Sequence, residues 1–277
     1  MTDRYAVIGH PVAHSQSPEI HASFARMTGQ SLRYERLLAP LDGFVETIES
    51  FRQSGARGAN ITLPFKLDAF EYANDVSARA RAAGAVNTLK FDGARIVGDN
   101  TDGIGLCRDI VENLQTPIEG ARILLLGAGG AARGAIGQIL DSHPQQLCIV
   151  NRTWSKAAEL ADRFNSMGSV TATPIEDLVA QHFDIVINAT SASLGNSMPA
   201  MPANCFAVGG LAYDMVYGKG ITPFMAEATR AGARISDGLG MLVEQAAEAF
   251  FIWRGVRPAT ADVINAIRAR MQLSAPS

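Results

Sequence analysis

The stretch ARILLLGAGGAARGA (121–135) restricts the fold of this chain more than any other. The consecutive apolar residues Ile123 to Leu126 read as a strand buried on both faces. The glycines after them allow a tight turn, and the small residues that follow open a helix. Near-continuous apolar strands separated by helices imply a parallel sheet with crossover connections. LCIVN, SVTAT, FDIVINAT and LAYDMVY continue the rhythm, with helices expected over 103–114 and 157–164.

The first hundred residues carry a second, separate alternation. YAVIG (5–9) predicts a strand, then a helix from Ser17 to Met27 with Ile20, Phe24 and Met27 on one face. A strand is expected at Leu32–Leu38, a helix over 42–51 and a strand through GANIT (58–62). VNTLKF and RIVG straddle Asp92-Gly93 as a hairpin edge. From Leu239 the tail is helical twice over, broken near Gly255 and Pro258. The expectation is an α/β protein of two α/β domains. Residues 1–102 form a substrate-binding, catalytic domain with a mainly parallel sheet, and 103–238 a Rossmann-like, doubly wound dinucleotide domain. Residues 239–277 form helices packing back on the first domain, a return that periodicity does not reveal.

Composition excludes several classes. With 47% hydrophobic and 18% charged residues in 277, the chain reads as globular. A net charge of −3 with no basic run gives no reason to expect nucleic acid or an anionic membrane as partner. Cys107, Cys148 and Cys205 form no CxxC pair, the N-terminus MTDRYAVIGHP lacks signal-peptide features, and the apolar stretches are too short to cross a bilayer. A cytoplasmic protein is expected.

GAGGAA (127–132) fits the dinucleotide fingerprint, with alanine at its third position: Gly127-x-Gly129-x-x-Ala132. Gly127 permits the turn, Gly129 lets the backbone approach a pyrophosphate, and Ala132 allows close helix–strand packing. The next strand ends IVNRTWSK, where an NAD site usually places an acid. Asn151 and Arg152 stand there instead, Lys156 follows one turn later, and Thr153 is expected to cap the helix. A neutral amide and two cations suit the 2′-phosphate of NADP, and Arg152 has a planar group able to stack on adenine.

NITLPFK (60–66) breaks a local rule. Pro64 reads as the first helical position, which puts Lys66 in a first turn that disfavours cations. Such a residue is a functional candidate, and the same field is expected to lower its pKa towards neutrality. The bland alternative is a lysine bent into solvent. In GDNTDGIG, Asp102 is either an N-cap or a catalytic carboxylate, and Asp99 reads as a residue that serves only the turn. Asn87 is either a strand-entry residue or a ligand contact. Gln245 shares an apolar face with Met241, Leu242 and Ala249, so its amide must find a partner. His10, His14 and His21 fit no metal geometry and read as turn or surface residues; no metal is expected.

HSQSPEIH, NITLPFK, AGAVNTL, GDNTDG, GAGGAA, NRT, YDMVYGKGITPF and GLGMLVEQ occur in the order and spacing of the shikimate dehydrogenases, which the chain resembles over nearly its whole length. The resemblance implies reversible NADPH-dependent reduction of 3-dehydroshikimate to shikimate, a step towards chorismate and the aromatic amino acids. It implies a Lys66/Asp102 pair at the reacting hydroxyl and substrate contacts from Ser15, Ser17, Thr62, Asn87, Tyr217 and Gln245. It places cofactor contacts at Gly127, Ala128, Gly129, Gly130 and Ala131, at Asn151, Arg152, Thr153 and Lys156, and at Thr190, Met215 and Gly238. Two departures stand out: Ala78 occupies a place where many relatives carry an acid, and YGKGITPF lacks the Asn-Pro often found after the tyrosine.

The paired serines then acquire a purpose. Two hydroxyls one residue apart in an extended segment point to one side, so Ser15 and Ser17 can both donate to a carboxylate, with Pro18 starting the helix beside them. Ser17 as a plain N-cap, with Ser15 a loop residue, is the alternative. One rival function is a quinate/shikimate dehydrogenase with relaxed substrate or cofactor use. Another is a non-catalytic NADP-sensing module, which predicts a degraded Lys/Asp centre. The partner expected is the small-molecule substrate, with a homodimer left open.

Overall fold

The computed structural model describes residues 2–273. They divide into two compact units, one made of residues up to Gly105 together with those from Val243 onward, the other of Leu106–Leu242.

The first unit opens with β1 (Asp3–Gly9), α1 (Ser17–Thr28), β2 (Leu32–Leu38), α2 (Phe44–Gln53), β3 (Gly58–Ile61) and α3 (Lys66–Tyr72). It continues with β4 (Asp75–Val76), α4 (Ala78–Ala83), β5 (Thr88–Asp92) and β6 (Arg95–Asp99). Its six strands are ordered β2-β1-β3-β5-β6-β4. β1 runs parallel to β2 and β3, β5 is antiparallel to β3 and β6, and β4 is parallel to β6. Tyr5 to Ile8 are all buried, as a strand flanked on both sides should be. Ile8, Phe44, Ile48, Ile61, Phe65 and Leu89 share one core.

Several boundaries depart from expectation. Met27 is 46% exposed, because the last turn of α1 ends at Gly29 (φ 64°), which already redirects the chain towards β2. α2 starts at Phe44, two residues later than 42, because Pro40 to Gly43 close a turn first. The pairing Asp92↔Arg95 makes Gly93-Ala94 the two-residue loop of the hairpin. The hairpin is not the sheet edge either: β4 covers β6, and two residues are too short a strand to show periodicity.

The second unit begins within α5 (Asp102–Arg108), which passes into a π-helical turn over Asp109–Asn113. Then come β7 (Arg122–Leu126), α6 (Gly130–Asp141), β8 (Gln146–Val150), α7 (Trp154–Phe164), β9 (Val170–Ala172) and β10 (Phe183–Asn188). β11 (Phe206–Asp214), α8 (Pro223–Arg230) and β12 (Arg234–Asp237) complete it. The strand order is β12-β11-β10-β7-β8-β9, parallel throughout. Counted from β7, this is the 3-2-1-4-5-6 order of the Rossmann fold, with the reversal between β7 and β10. The helix expected over 103–114 changes character at Asp109, whose buried carboxylate accepts from Tyr213 Oη at 2.6 Å. β12 escaped the sequence reading because only Ser236 of its four residues is buried.

α9 (Leu239–Arg254) and α10 (Ala261–Leu273) close the described chain, and from Val243 onward they belong to the first unit. Trp253 stacks on Tyr5, ring centroids 4.6 Å apart, and its Nε1 donates to Leu89 O at 3.0 Å. A Cβ at Gly58 would lie 2.5 Å from that nitrogen, so a glycine admits the indole onto the sheet. Lys90 Nζ reaches Ile252 O at 3.0 Å, a second tie between the returning helix and β5.

Candidate active site

The registers Asn60↔Thr88 and Thr88↔Asp99 bring the carboxyl ends of β3 and β6 to the same sheet edge as the start of β5. β1 is parallel to β3, so the residues after Gly9 emerge there too. Ser15, Ser17, Thr62, Lys66 and Asp102 follow these strand ends, and Asn87 immediately precedes β5. Crevices at carboxyl ends of strands are where open α/β sheets bind ligands.

Lys66 is the first residue of α3, with Phe65 at the N-cap position. Pro64 is therefore not in the helix; it precedes it, joined to Leu63 by a cis peptide bond. The lysine does not bend into solvent. Its Nζ donates to Asp102 Oδ2 at 2.5 Å, with the two side chains 21% and 4% exposed. This carboxylate compensates the cation that the first turn disfavours. Asp102 does not cap its own helix: its other oxygen accepts from Asn87 Nδ2 at 2.8 Å, and Asn100 Oδ1 receives the Asp102 N–H at 3.1 Å.

Asn87 is the hub. Three acceptors surround its Nδ2: Asp102 Oδ1 at 2.8 Å, Gln245 Oε1 at 3.1 Å and Thr101 Oγ1 at 3.1 Å. An amide nitrogen has two hydrogens, so the carboxylate and the Gln245 carbonyl take them. Asn87 Oδ1 meanwhile accepts from Thr101 N and Thr88 Oγ1, each at 2.9 Å, and Thr101 Oγ1 lies 3.2 Å away as a further donor. Gln245 spends its carbonyl here. Asp99 does more than serve a turn: it pairs with Arg79 at 2.7 Å and accepts from Ser77 Oγ at 2.6 Å, while Ser77 caps α4. Thr62 lies against Gly9, where an added Cβ would meet the threonine methyl at 2.3 Å.

The serine pair is not in an extended segment. Gln16 is αR (φ −83°, ψ −6°), the helix begins at Ser17, and Pro18 is its second residue. A turn closed by Ser15 N to Val12 O still brings the hydroxyls together, Ser15 Oγ to Ser17 Oγ at 3.1 Å. Ser17 makes no side-chain capping bond, since the cap position is Gln16. Arg36 Nε and Nη2 both donate to Ser15 O, at 3.0 and 2.5 Å.

Behind this edge lie residues the sequence reading passed over. Tyr34 Oη donates to Asn60 Oδ1 at 2.7 Å, and Asn60 Nδ2 donates to Thr88 Oγ1 at 3.1 Å. An asparagine within the apolar strand GANI is a signal that was available, because a half-buried amide needs partners. His21 is a correction: it is fully buried, not at the surface. Its ring stacks on Tyr34 at 4.2 Å, and neither nitrogen has a hydrogen-bond partner. Burial pushes its pKa down to about 3, opposed only by the nearby Asn60 side chain. Among the described residues no cluster of histidine, cysteine and acidic side chains has the makings of a metal site.

In the second unit the named residues again follow carboxyl ends of strands. Gly127, after β7, has φ 107°, and a Cβ there would come 3.0 Å from the Thr190 methyl. Gly129 and Gly130 face open space, with nothing within 4 Å of an added Cβ. Ala128 and Ala131 flank them, and Ala132 is fully buried against the sheet. No side chain caps the N-terminus of α6, so its amide donors are available to an anion. After β8, Arg152 and Lys156 are exposed and no acid follows the strand. Thr153 occupies the N-cap position of α7 but makes no side-chain capping bond, a second correction; Asn151 Nδ2 donates to its carbonyl at 2.8 Å. Thr190 donates its hydroxyl to Asn188 Oδ1 at 2.7 Å, so that proton is spent internally. A Cβ at Gly238 would lie 2.2 Å from Met215 O, a contact only glycine allows. Tyr217 is half-buried, which raises the pKa of its phenol. These features fit a dinucleotide with a phosphorylated ribose.

Three family models match the chain. They describe a shikimate dehydrogenase substrate binding domain (residues 7–89), a shikimate / quinate 5-dehydrogenase (109–196) and a shikimate 5′-dehydrogenase C-terminal domain (238–268). The chain is 57% identical to a shikimate dehydrogenase (NADP(+)) of Nitrosospira multiformis, over 98% of its own length and 99% of the relative's. The chain belongs to the shikimate dehydrogenase family. Among solved structures, the Ael1 enzyme from Pseudomonas putida is 50% identical and superposes with a TM-score of 0.92, covering 99% of both chains. The shikimate dehydrogenase of Thermus thermophilus in complex with NADP(H) and shikimate is 34% identical with a TM-score of 0.86, covering 97% of this chain and 99% of that one. No helix among the described residues is long and apolar enough to cross a membrane.

Proposed function

We propose that this chain catalyses the reversible NADPH-dependent reduction of 3-dehydroshikimate to shikimate, with Lys66 and Asp102 managing the proton. The Lys66–Asp102 contact at 2.5 Å, held by Asn87, carries the reading. A bound NADPH would supply hydride for the carbonyl carbon, which would turn the C=O π pair into negative charge on oxygen. Protonated Lys66 donates to that oxygen and stabilises its charge as it develops. In the oxidative direction the same pair accepts the hydroxyl proton. Asp102 is nearly buried and holds Lys66 Nζ in place, and Asn87 fixes the carboxylate's other oxygen.

The ring acid's carboxylate is placed on the hydroxyls of Ser15 and Ser17. Ser15 Oγ donates to Ser17 Oγ, so its proton can rotate to an anion at the cost of that one contact, which does not use the Ser17 proton. Thr62, Asn87 and Gln245 would hold the ring hydroxyls, and Tyr217 is a further candidate contact. Gly127 to Ala131 would cradle the pyrophosphate, while Asn151, Arg152, Thr153 and Lys156 would receive the adenosine 2′-phosphate. Thr190, Met215 and Gly238 would line the nicotinamide. The test is absorbance at the NADPH band when purified protein receives shikimate and NADP. Growth of the band is expected; NADPH binding without turnover would instead support a sensing module.

A further inference from the structure

The geometry points to Arg36 as a second determinant of substrate charge, a guanidinium that both fixes the Ser15 turn and attracts the carboxylate held there. This rests on the proposed seating of the carboxylate at Ser15 and Ser17. Arg36 lies on β2, paired in register with Val7 of β1, and reaches across to the loop after β1. Two of its N–H groups converge on one acceptor, Ser15 O, at 3.0 and 2.5 Å. Several arginines of the unit meet carboxylates (Arg4 meets Glu35, Arg52 meets Glu49, and Arg79 meets Asp99), whereas Arg26 meets the Ser23 hydroxyl. Among the described residues Arg36 has no carboxylate within salt-bridge distance. Its positive charge is therefore uncompensated at the one place where the site is proposed to take an anion.

Two consequences follow from the chemistry. The paired bonds to Ser15 O fasten the guanidinium to that turn, beside the residue whose hydroxyl donates to the ligand. The charge then acts on a carboxylate through a partly screened gap, an effect that salt weakens. The serine hydroxyls alone read shape and accept any oxygen. The guanidinium makes the site prefer an ionised acid over a neutral ring of equal size.

The test compares shikimate with its methyl ester, which keeps the oxygens and loses the charge, in the wild type, Arg36→Gln and Arg36→Lys. Arg36→Gln is expected to raise KM for shikimate roughly three- to tenfold. It should change KM for the ester much less, and leave KM for NADP and the melting temperature in place. Arg36→Lys should recover most of the preference for acid over ester, because it keeps the charge. The fall of kcat/KM with added salt should be shallower in Arg36→Gln for the acid only. An equal loss on acid and ester, or no loss on either, overturns the inference. Ser15→Ala measured alongside separates the two claims: if it leaves KM for shikimate unchanged, the seating itself fails, whereas a rise there with Arg36→Gln silent sinks only the role of Arg36.

Discussion

His21→Phe should change how stability responds to acid, and the size of the change follows from where the ring sits. His21 is fully buried among Tyr34, Phe24, Phe250 and Trp253, with both nitrogens unpartnered. Its pKa falls from 6.5 in the open chain to about 3 when folded. Between those values the unfolded chain binds a proton that the folded one refuses, so stability is full above 6.5 and is lost as pH falls towards 3. Each pH unit well inside that window costs about 1.4 kcal/mol. From pH 7 to pH 5 the sum is about 2 kcal/mol, since the unfolded imidazole is already partly charged at the start.

Phenylalanine keeps the ring and removes the proton, so the variant should hold its stability over the same interval. Other acid-sensitive groups, such as Glu49 with its pKa lowered to about 2 by Arg52, act equally in both proteins and cancel in the difference. Urea unfolding followed by Trp253 fluorescence reports the unit that contains His21, and a Trp154→Phe background removes the exposed indole of the second unit. The difference between the proteins should widen by about 2 kcal/mol from pH 7 to pH 5. A difference that stays flat across that range would mean the folded chain protonates His21 freely, and the buried neutral ring would have to be abandoned.

Lys66→Ala should cut kcat far more than it raises KM for shikimate, because its bond to the developing alkoxide forms mainly in the transition state; steady-state kinetics that show the reverse split reassign it to binding. Arg152→Ala should weaken NADP but not NAD, by about 1.5–3 kcal/mol if the guanidinium binds a phosphate, as fluorescence titration of the two cofactors can measure. Gly238→Ala drives a Cβ to 2.2 Å from Met215 O, so backbone must shift at a cost of about 1–3 kcal/mol. KM for NADPH should rise with little change in KM for shikimate.

Much of this architecture was legible because long apolar runs carry it. β7, β8 and β10 are buried nearly end to end, and no other element type hides such runs beside Gly127 and Gly129. What stayed hidden were elements whose identity depends on partners. β4 has two residues and exists only because β6 offers it an edge. The helix after Asp102 turns π-helical where Asp109 meets Tyr213, a contact more than a hundred residues away in sequence. The return of α9 hangs on Trp253 finding Leu89 O over Gly58, and no periodicity encodes that pairing.

The candidate site divides the same way. Lys66 was conspicuous because it violates the charge preference of a helix start, and the fold shows what offsets the violation. Asn87 was quiet, since an asparagine beside a strand ordinarily marks a turn, whereas Asn60 inside β3 carried a signal in its half-buried amide. Yet Asn87 is the side chain that fixes how Lys66 and Asp102 meet. A lysine and an aspartate alone can meet in many rotamers, and a nearly buried pair contributes little net stability once desolvation is counted. Binding Asp102 Oδ1 leaves Oδ2 as the free face of the carboxylate, and Lys66 Nζ is fixed there. The second amide hydrogen reaches Gln245 on α9, so the returning helix and the lysine are registered through one side chain. Tyr34, Asn60 and Thr88 extend that registration across the sheet by hydrogen bonds. The polar chain ties the Lys66–Asp102 pair to strands whose spacing the backbone ladder already sets. That is why an amide with few rotamers, and not a longer flexible side chain, suits position 87.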